Sequence, residues 1–215
     1  MMDIVHPDIE AYLASLASVD NEPVLLEMEH LAKERDFPII GRLCGRMLEV
    51  FARTSGANRI FEMGSGFGYS AYWFSRAIGP DGEIHLTDTD EDNEKKAMDF
   101  LRRAGLDGPV EFHVSDAFEA FGGTSGDFDI VYCDIDKHGY PRAWELAKER
   151  IRVGGLFMCD NVLWSGRVTG NVSGDVREGY TEAIMNMNQA IATDGNWRST
   201  IVPLRDGVVA AVRIA

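Results

Sequence analysis

Apolar residues recur along this chain in two rhythms. In EPVLLEMEHLAKER (22–35), Leu25, Met28 and Leu31-Ala32 fall three to four apart, with Glu27, Glu29, Lys33 and Glu34 on a solvated opposite face. The same spacing predicts a helix over 8–19. Another is predicted over about 41–55, where Leu43, Met47, Leu48 and Phe51 share a side; Phe37-Pro38 interrupts the pattern between them. From residue 59 onward, short apolar runs of strand length alternate with helical stretches. The runs are Ile60–Met63, Glu83–Thr87, Val110–Val114, Phe128–Cys133, Leu156–Cys159, Ser199–Leu204 and Val208–Ile214. Helices are predicted from Tyr69, over Glu91–Ala104 with Gly105 as the stop, over Arg142–Ile151, and near Thr181–Ala192. Arg205-Asp206-Gly207 joins the last two strands as a hairpin-type turn.

Strands that alternate with helices imply an α/β fold. Seven strands make a mostly parallel sheet with helices on both faces, and the C-terminal hairpin adds one antiparallel strand. A chain of 215 residues suits one domain, with 1–55 as a helical extension or cap and 56–215 as the α/β core. Ligands of such sheets bind beyond the carboxyl ends of the strands. Acidic residues stand at those ends: Asp88, Asp116, Asp134 and Asp160.

The formal charge is −14, a field that repels phosphate backbones and anionic lipids, so nucleic acid is a disfavoured partner. No apolar run approaches the ~20 residues of a membrane helix. The acidic start, MMDIVHPDIEAYL, lacks the basic and apolar regions of a signal peptide, which leads to the expectation of a cytoplasmic protein. Cys44, Cys133 and Cys159, odd in number and widely spaced, read as buried free thiols.

The chemistry centres on RIFEMGSGFGYS (59–70). An apolar strand turns on Gly64, Gly66 and Gly68 and enters a helix, whose free N–H groups face whatever the loop holds. Tyr69 occupies the place of the third glycine of a dinucleotide fingerprint, which argues against NAD and for a ligand without phosphates, such as S-adenosylmethionine. Asp88, about 20 residues on, can accept both hydroxyls of an adenosine ribose, while Asp90 suits the cap of the next helix. Asp116-Ala117 is placed to edge an adenine or, equally, to cap a helix. Asp134, Asp160 and Asn161 form a hard, all-oxygen set that suits Mg²⁺, Mn²⁺ or Ca²⁺ and leaves coordination positions open. Lys137 follows Asp134 by one turn.

These segments carry a resemblance. Phe61-Glu62-Met63-Gly64 with Gly68-Tyr69-Ser70, Asp134-Ile135-Asp136-Lys137 with Tyr140, Val153-Gly154-Gly155, and Asp160-Asn161-Val162-Leu163-Trp164 with Gly166 are similar to motifs of the divalent-cation-dependent O-methyltransferases. That family includes the caffeoyl-CoA and catechol enzymes and bacterial relatives. Thr181–Ile184, Asn188, Pro203 and Asp206-Gly207 extend the likeness, which runs from about Pro38 to the C-terminus. Ile135 stands where alanine is usual, Ser65-Gly66-Phe67 replaces the commoner loop middle, and Cys44 occupies a position where an acidic or amide residue is frequent.

The resemblance implies a Rossmann-like class I methyltransferase fold and specific roles. Glu62, Gly64 and Ser70 hold the methionine part of S-adenosylmethionine, Asp88 the ribose, and Asp116 and Ala117 the adenine. Asp134, Asp160 and Asn161 hold the divalent cation, with Asp134 and Asp136 also on the cofactor side. Lys137 is the base, acting with Asp134. The expected reaction methylates a hydroxyl of a small catechol-like or phenolic acceptor, and the family implies a homodimer. A hydroxylated tRNA nucleoside as acceptor, or a non-catalytic S-adenosylmethionine- or NAD-binding module, are the rival readings. Trp164, Tyr140 and His138 are candidates for an aromatic substrate slot, Trp164 equally for packing, and His138 is expected to face solvent.

Overall fold

A computed structural model describes residues 3–215. Contacts divide the chain into two compact units, Asp8–Thr124 and Ser125–Ala215 with the residues up to Pro7.

The first unit contains the helices α1 (Pro7–Ala17), α2 (Pro23–Glu34) and α3 (Gly41–Ser55), then β1 (Arg59–Met63), α4 (Tyr69–Ile78), β2 (Glu83–Asp88), α5 (Glu91–Ala104), β3 (Val110–Val114) and α6 (Ala117–Gly123). Its strands lie in the order β3-β2-β1 and all pairs are parallel. Side chains of a strand alternate between faces, which separates two sets of contacts. Glu62 meets Ser70 of α4 on one face. Phe61 meets Phe121 of α6 on the other, edge to face at 4.9 Å between centroids. The helices α1–α3 thus belong with β1–β3 in a single unit. α5 is closed at both ends by local chemistry: Asp90 caps it by accepting from the Asp92 N–H, and Gly105 ends it in a left-handed turn.

The second unit contains β4 (Phe128–Cys133), α7 (Tyr140–Lys148), β5 (Ile151–Cys159), α8 (Tyr180–Thr193), β6 (Trp197–Val202) and β7 (Val208–Arg213). Its strands lie in the order β4-β5-β7-β6. β4 and β5 are parallel, and β7 runs antiparallel to both of its neighbours, the expected terminal hairpin. Trp144 of α7 packs on Phe157 at 5.2 Å and on Trp197 at 4.9 Å.

Three elements differ from the periodicity reading. α6 is an added helix, capped by Asp116. α7 starts at Tyr140, because Pro141 suits a first helical turn, and stops at Lys148. β5 begins at Ile151, since Val153-Gly154-Gly155 is not a turn but part of the strand, where the pairing to β4 shifts register.

Candidate active site

In the first unit the glycine loop is pinned to the end of β2. Thr87 is the pin: its hydroxyl accepts from the Gly64 N–H at 3.0 Å and donates to the Glu62 carbonyl at 2.9 Å. Its N–H donates to Ser65 Oγ at 3.0 Å, and its carbonyl accepts from the Ser65 N–H at 2.8 Å. Gly68 caps α4 with φ +82°, and a Cβ there would stand 3.0 Å from that of Ala97, so a side chain is excluded on both counts. The first turn of α4 brings the Ser70 hydroxyl onto the buried Glu62 carboxylate. Tyr69 is buried and donates to Glu29 of α2 at 2.9 Å; Arg42 of α3 holds the same carboxylate through two bonds at 2.7 and 2.8 Å. The residue that replaces a third glycine therefore ties the loop to the N-terminal helices.

Glu62, Gly64 and Ser70 are thus joined around one loop. Asp88 follows Thr87 and accepts from the Asp90 N–H at 2.8 Å. The Ser115 N–H donates to the Asp88 carbonyl at 3.0 Å, which sets the end of β3 beside that of β2. Asp116 accepts from Phe118 and Glu119 N–H at 2.9 and 3.2 Å, so it caps α6 through Oδ1, and Ala117 is the first residue of that helix.

In the second unit Asp134, Lys137, Asn161 and Tyr140 form one hydrogen-bonded cluster. The buried Lys137 ammonium donates to Asp134 Oδ1 at 2.9 Å, to Asn161 Oδ1 at 2.8 Å and to the Tyr140 hydroxyl at 2.6 Å. The Tyr140 hydroxyl donates in turn to the Asp160 carbonyl at 2.8 Å. Asn161 is left-handed, φ +58°, a conformation that asparagine tolerates better than most residues. The left-handed run Trp164, Ser165 and Gly166 follows. This loop is held by the hairpin turn: the N–H groups of Val162 and Leu163 donate to the carbonyls of Gly207 and Asp206 at 3.1 and 2.9 Å.

The electrostatics are those of a buried carboxylate, Asp160, close to a half-buried one, Asp134. Burial, and then the Asp134 charge, push the Asp160 pKa up to about 7. Its Oδ1 is buried and accepts no hydrogen bond. For Lys137 burial is the largest influence and pulls the pKa down, but the charge and hydrogen bond of Asp134 outweigh it, and the net shift is upward. A cationic group bonded to two of the three side chains, with one oxygen of the third, Asp160 Oδ1, accepting no hydrogen bond, is an arrangement suited to a hard cation.

Asp136 lies outside this cluster. It caps the 3-10 turn Lys137–Gly139, accepts from the Tyr180 hydroxyl and pairs with Arg177 at 3.2 Å. Tyr140 is corrected: with no exposure it supports Lys137 and Asp160 and lines no open slot. His138 is exposed, with Nε2 at 2.9 Å from the Glu178 carbonyl. Trp164 donates to Asp175 at 2.8 Å, and its ring centroid lies 6.0 Å from Lys137 Nζ. Cys44, Cys133 and Cys159 are buried and form no disulfide. Thr87 escaped the sequence reading; its one signal was a hydroxyl residue just before a strand-end aspartate.

A family model described as O-methyltransferase matches residues 16–214, so the likeness begins upstream of Pro38. Caffeoyl-CoA O-methyltransferase 2 of Populus trichocarpa is 28% identical over 179 residues, covering 79% of this chain and 72% of that protein. The crystal structure of the O-methyltransferase TomG from Streptomyces achromogenes in complex with SAM superposes with a TM-score of 0.85 at 26% identity, covering 97% of this chain and 96% of that one. A methyltransferase from Geobacter sulfurreducens is 30% identical with a TM-score of 0.82, over 98% of this chain and 100% of its own.

Proposed function

The chain belongs to the O-methyltransferase family, and from that premise we propose that it transfers the methyl group of S-adenosylmethionine to a hydroxyl of a small catechol-like or phenolic acceptor, with a divalent cation held by Asp134, Asp160 and Asn161. The observation that carries the metal reading is the Lys137 ammonium bonded to both Asp134 and Asn161, at 2.9 and 2.8 Å, next to the unpartnered Oδ1 of Asp160. These donors fit Mg²⁺ or Mn²⁺ by type, being oxygens of two carboxylates and one amide.

On this proposal Glu62, Gly64 and Ser70 bind the methionine end of the donor, Asp88 its ribose, and Asp116 and Ala117 its adenine. Asp134 and Asp136 are assigned to the cofactor side as well. A cation held by Asp134, Asp160 and Asn161 would supply Lewis acidity toward the acceptor hydroxyl. Lys137 gives its own ammonium proton to solvent and, as the free amine, accepts the hydroxyl proton at Nζ. The acceptor oxygen then attacks the methyl carbon, forming the O–C bond as the S–C bond breaks, and the thioether S-adenosylhomocysteine leaves with the electron pair. Trp164 supplies an aromatic wall beside Lys137, fixed by its bond to Asp175.

A homodimer belongs to the same proposal. Ile9, Tyr12 and Leu16, at helical spacing on α1, are 54%, 63% and 51% exposed. Light scattering on the wild type and on Tyr12→Asp tests this: the wild type should have the mass of a dimer and the variant that of a monomer.

The decisive assay is methyl transfer to catechols, caffeoyl esters and flavonoids, with Mg²⁺ or with excess EDTA. Turnover should vanish in EDTA and in Asp160→Ala, while S-adenosylmethionine binding by calorimetry persists. Full activity in EDTA would overturn the metal reading.

A further inference from the structure

A second cluster of ligating side chains lies on the α6 face of the first unit, and no step of the proposed reaction uses it. It is built from one tripeptide pattern that occurs twice: Glu83-Ile84-His85 on β2 and Glu111-Phe112-His113 on β3. The strands are parallel and offset, so that His85 pairs with Glu111 and Thr87 with His113. Alternation along each strand then puts His85, Glu111 and His113 on one face.

Their ligand atoms converge. His85 Nδ1 lies 3.0 Å from His113 Nε2 and 3.5 Å from a Glu111 carboxylate oxygen; His113 Nε2 lies 3.8 Å from the other oxygen of Glu111. Tetrahedral ligands at ~2.0–2.1 Å from a zinc ion stand about 3.3 Å apart, and the observed separations bracket that value. The far side of His85 is also arranged. Its Nε2 is bonded to Glu83, and Arg59 holds Glu83 through two bonds at 3.0 Å each. Glu83, bonded at Nε2, favours a proton there, so that Nδ1 faces His113 Nε2 as an acceptor at 3.0 Å, the orientation that carboxylate–histidine–metal triads use. Both imidazoles lie within 22° of the Phe61 ring plane, so the rings are held by packing as well.

We propose that His85, Glu111 and His113 form a metal site of the zinc class, which fastens the edge strand β3 to β2. Two imidazoles and a carboxylate favour a borderline transition metal over the hard cations suited to an all-oxygen set. The site opens to solvent, since the Glu111 side chain is 63% exposed and that of His113 22%. An ion can therefore enter, and water can complete its coordination. β3 is held mainly by its parallel pairing to β2, since all of its side chains are half-buried or exposed. A bound ion adds a cross-link that the unfolded chain lacks, so occupancy stabilises the fold.

The test uses tag-free, full-length protein stripped with EDTA, desalted, and kept in excess Mg²⁺ to saturate oxygen-donor groups. Co²⁺ is titrated by visible absorption, Zn²⁺ is added in competition, and the thermal midpoint is followed with stoichiometric Zn²⁺. One equivalent of Co²⁺ should produce d–d bands, Zn²⁺ should abolish them, and the midpoint should rise by several degrees. Glu111→Gln and His113→Gln should weaken Zn²⁺ binding at least tenfold while leaving S-adenosylmethionine affinity unchanged. Glu111 is exposed, so its variant keeps the test valid even if His113→Gln fails to fold. Absence of bands and of a midpoint shift in the wild type would overturn the proposal, as would wild-type metal affinity in Glu111→Gln. Bands lost in Asp160→Ala but kept in Glu111→Gln would assign the ion to the oxygen cluster, and would equally overturn it. None of these readouts depends on methyl transfer.

Discussion

Asp160→Asn should stabilise the protein in chelator above neutral pH, although the same change should impair its chemistry. The wild-type carboxyl is 5% exposed, and its Oδ1 accepts no hydrogen bond. Burial, then Asp134, push its pKa up to about 7 from an ordinary 3.8. Unfolding returns the group to water and to its ordinary value. Because the folded pKa is the higher one, the protonated form favours the fold. That contribution is fully present below pH ~4 and is lost as pH rises through about 7. One pKa unit is worth ~1.4 kcal/mol, so the loss by pH 8 amounts to about 4 kcal/mol. Asparagine has nearly the same shape and does not ionise, so the variant escapes this loss. Urea denaturation of both proteins in EDTA, from pH 4 to 8, isolates Asp160 together with the groups coupled to it, Asp134 foremost, because titrating groups remote from it cancel in the difference. The variant's advantage should grow with pH and approach the full amount at pH 8. Added Mg²⁺ should then rescue the wild type more than the variant. Parallel stability curves for the two proteins across that pH range would refute the reasoning.

Other consequences follow from single contacts. Lys137→Ala should lower kcat by ~10²–10⁴-fold, the range for loss of a positioned base, with cofactor affinity nearly unchanged; an unaltered kcat in steady-state assays would reassign the base. Ser70→Ala removes the hydroxyl bonded to the buried Glu62 carboxylate; a bond to a charged group is worth ~1.5–3 kcal/mol of stability, so urea denaturation should show a loss of that order, and calorimetry should show weaker S-adenosylmethionine binding. Gly45→Ala would drive a methyl group to 2.2–2.5 Å from the Trp73 indole, where α3 packs on α4. Overpacking of that kind costs ~1–3 kcal/mol, and scanning calorimetry should record a midpoint several degrees lower.

The chain's own order of residues determined whatever depends on near neighbours. The strand runs, the amphipathic helices and the terminal hairpin follow from side-chain periodicity. Asp90 and Gly105 mark the ends of α5 because capping and left-handed turns are properties of a few adjacent residues. α6 was signalled only by Asp116 as a possible cap, because seven residues, two of them glycine, hold too few turns to show a period. The doublet Gly154-Gly155 resembles a turn in isolation, and only the pairing of Ile151 and Leu156 with β4, on either side of it, shows that the strand runs through it.

The site divides the same way. Asp134, Lys137, Asp160 and Asn161 could be picked out by type and by their place at strand ends. Only the folded chain decided that one ammonium bonds Asp134 and Asn161, that Asp160 titrates near neutrality, that Tyr140 is a buried support, and that two Glu-x-His tripeptides face each other across β2 and β3. The reason is physical. Backbone preference is local, whereas desolvation and charge coupling depend on which distant residues strand register and helix packing bring within a few ångströms, and no spacing along the chain encodes that distance.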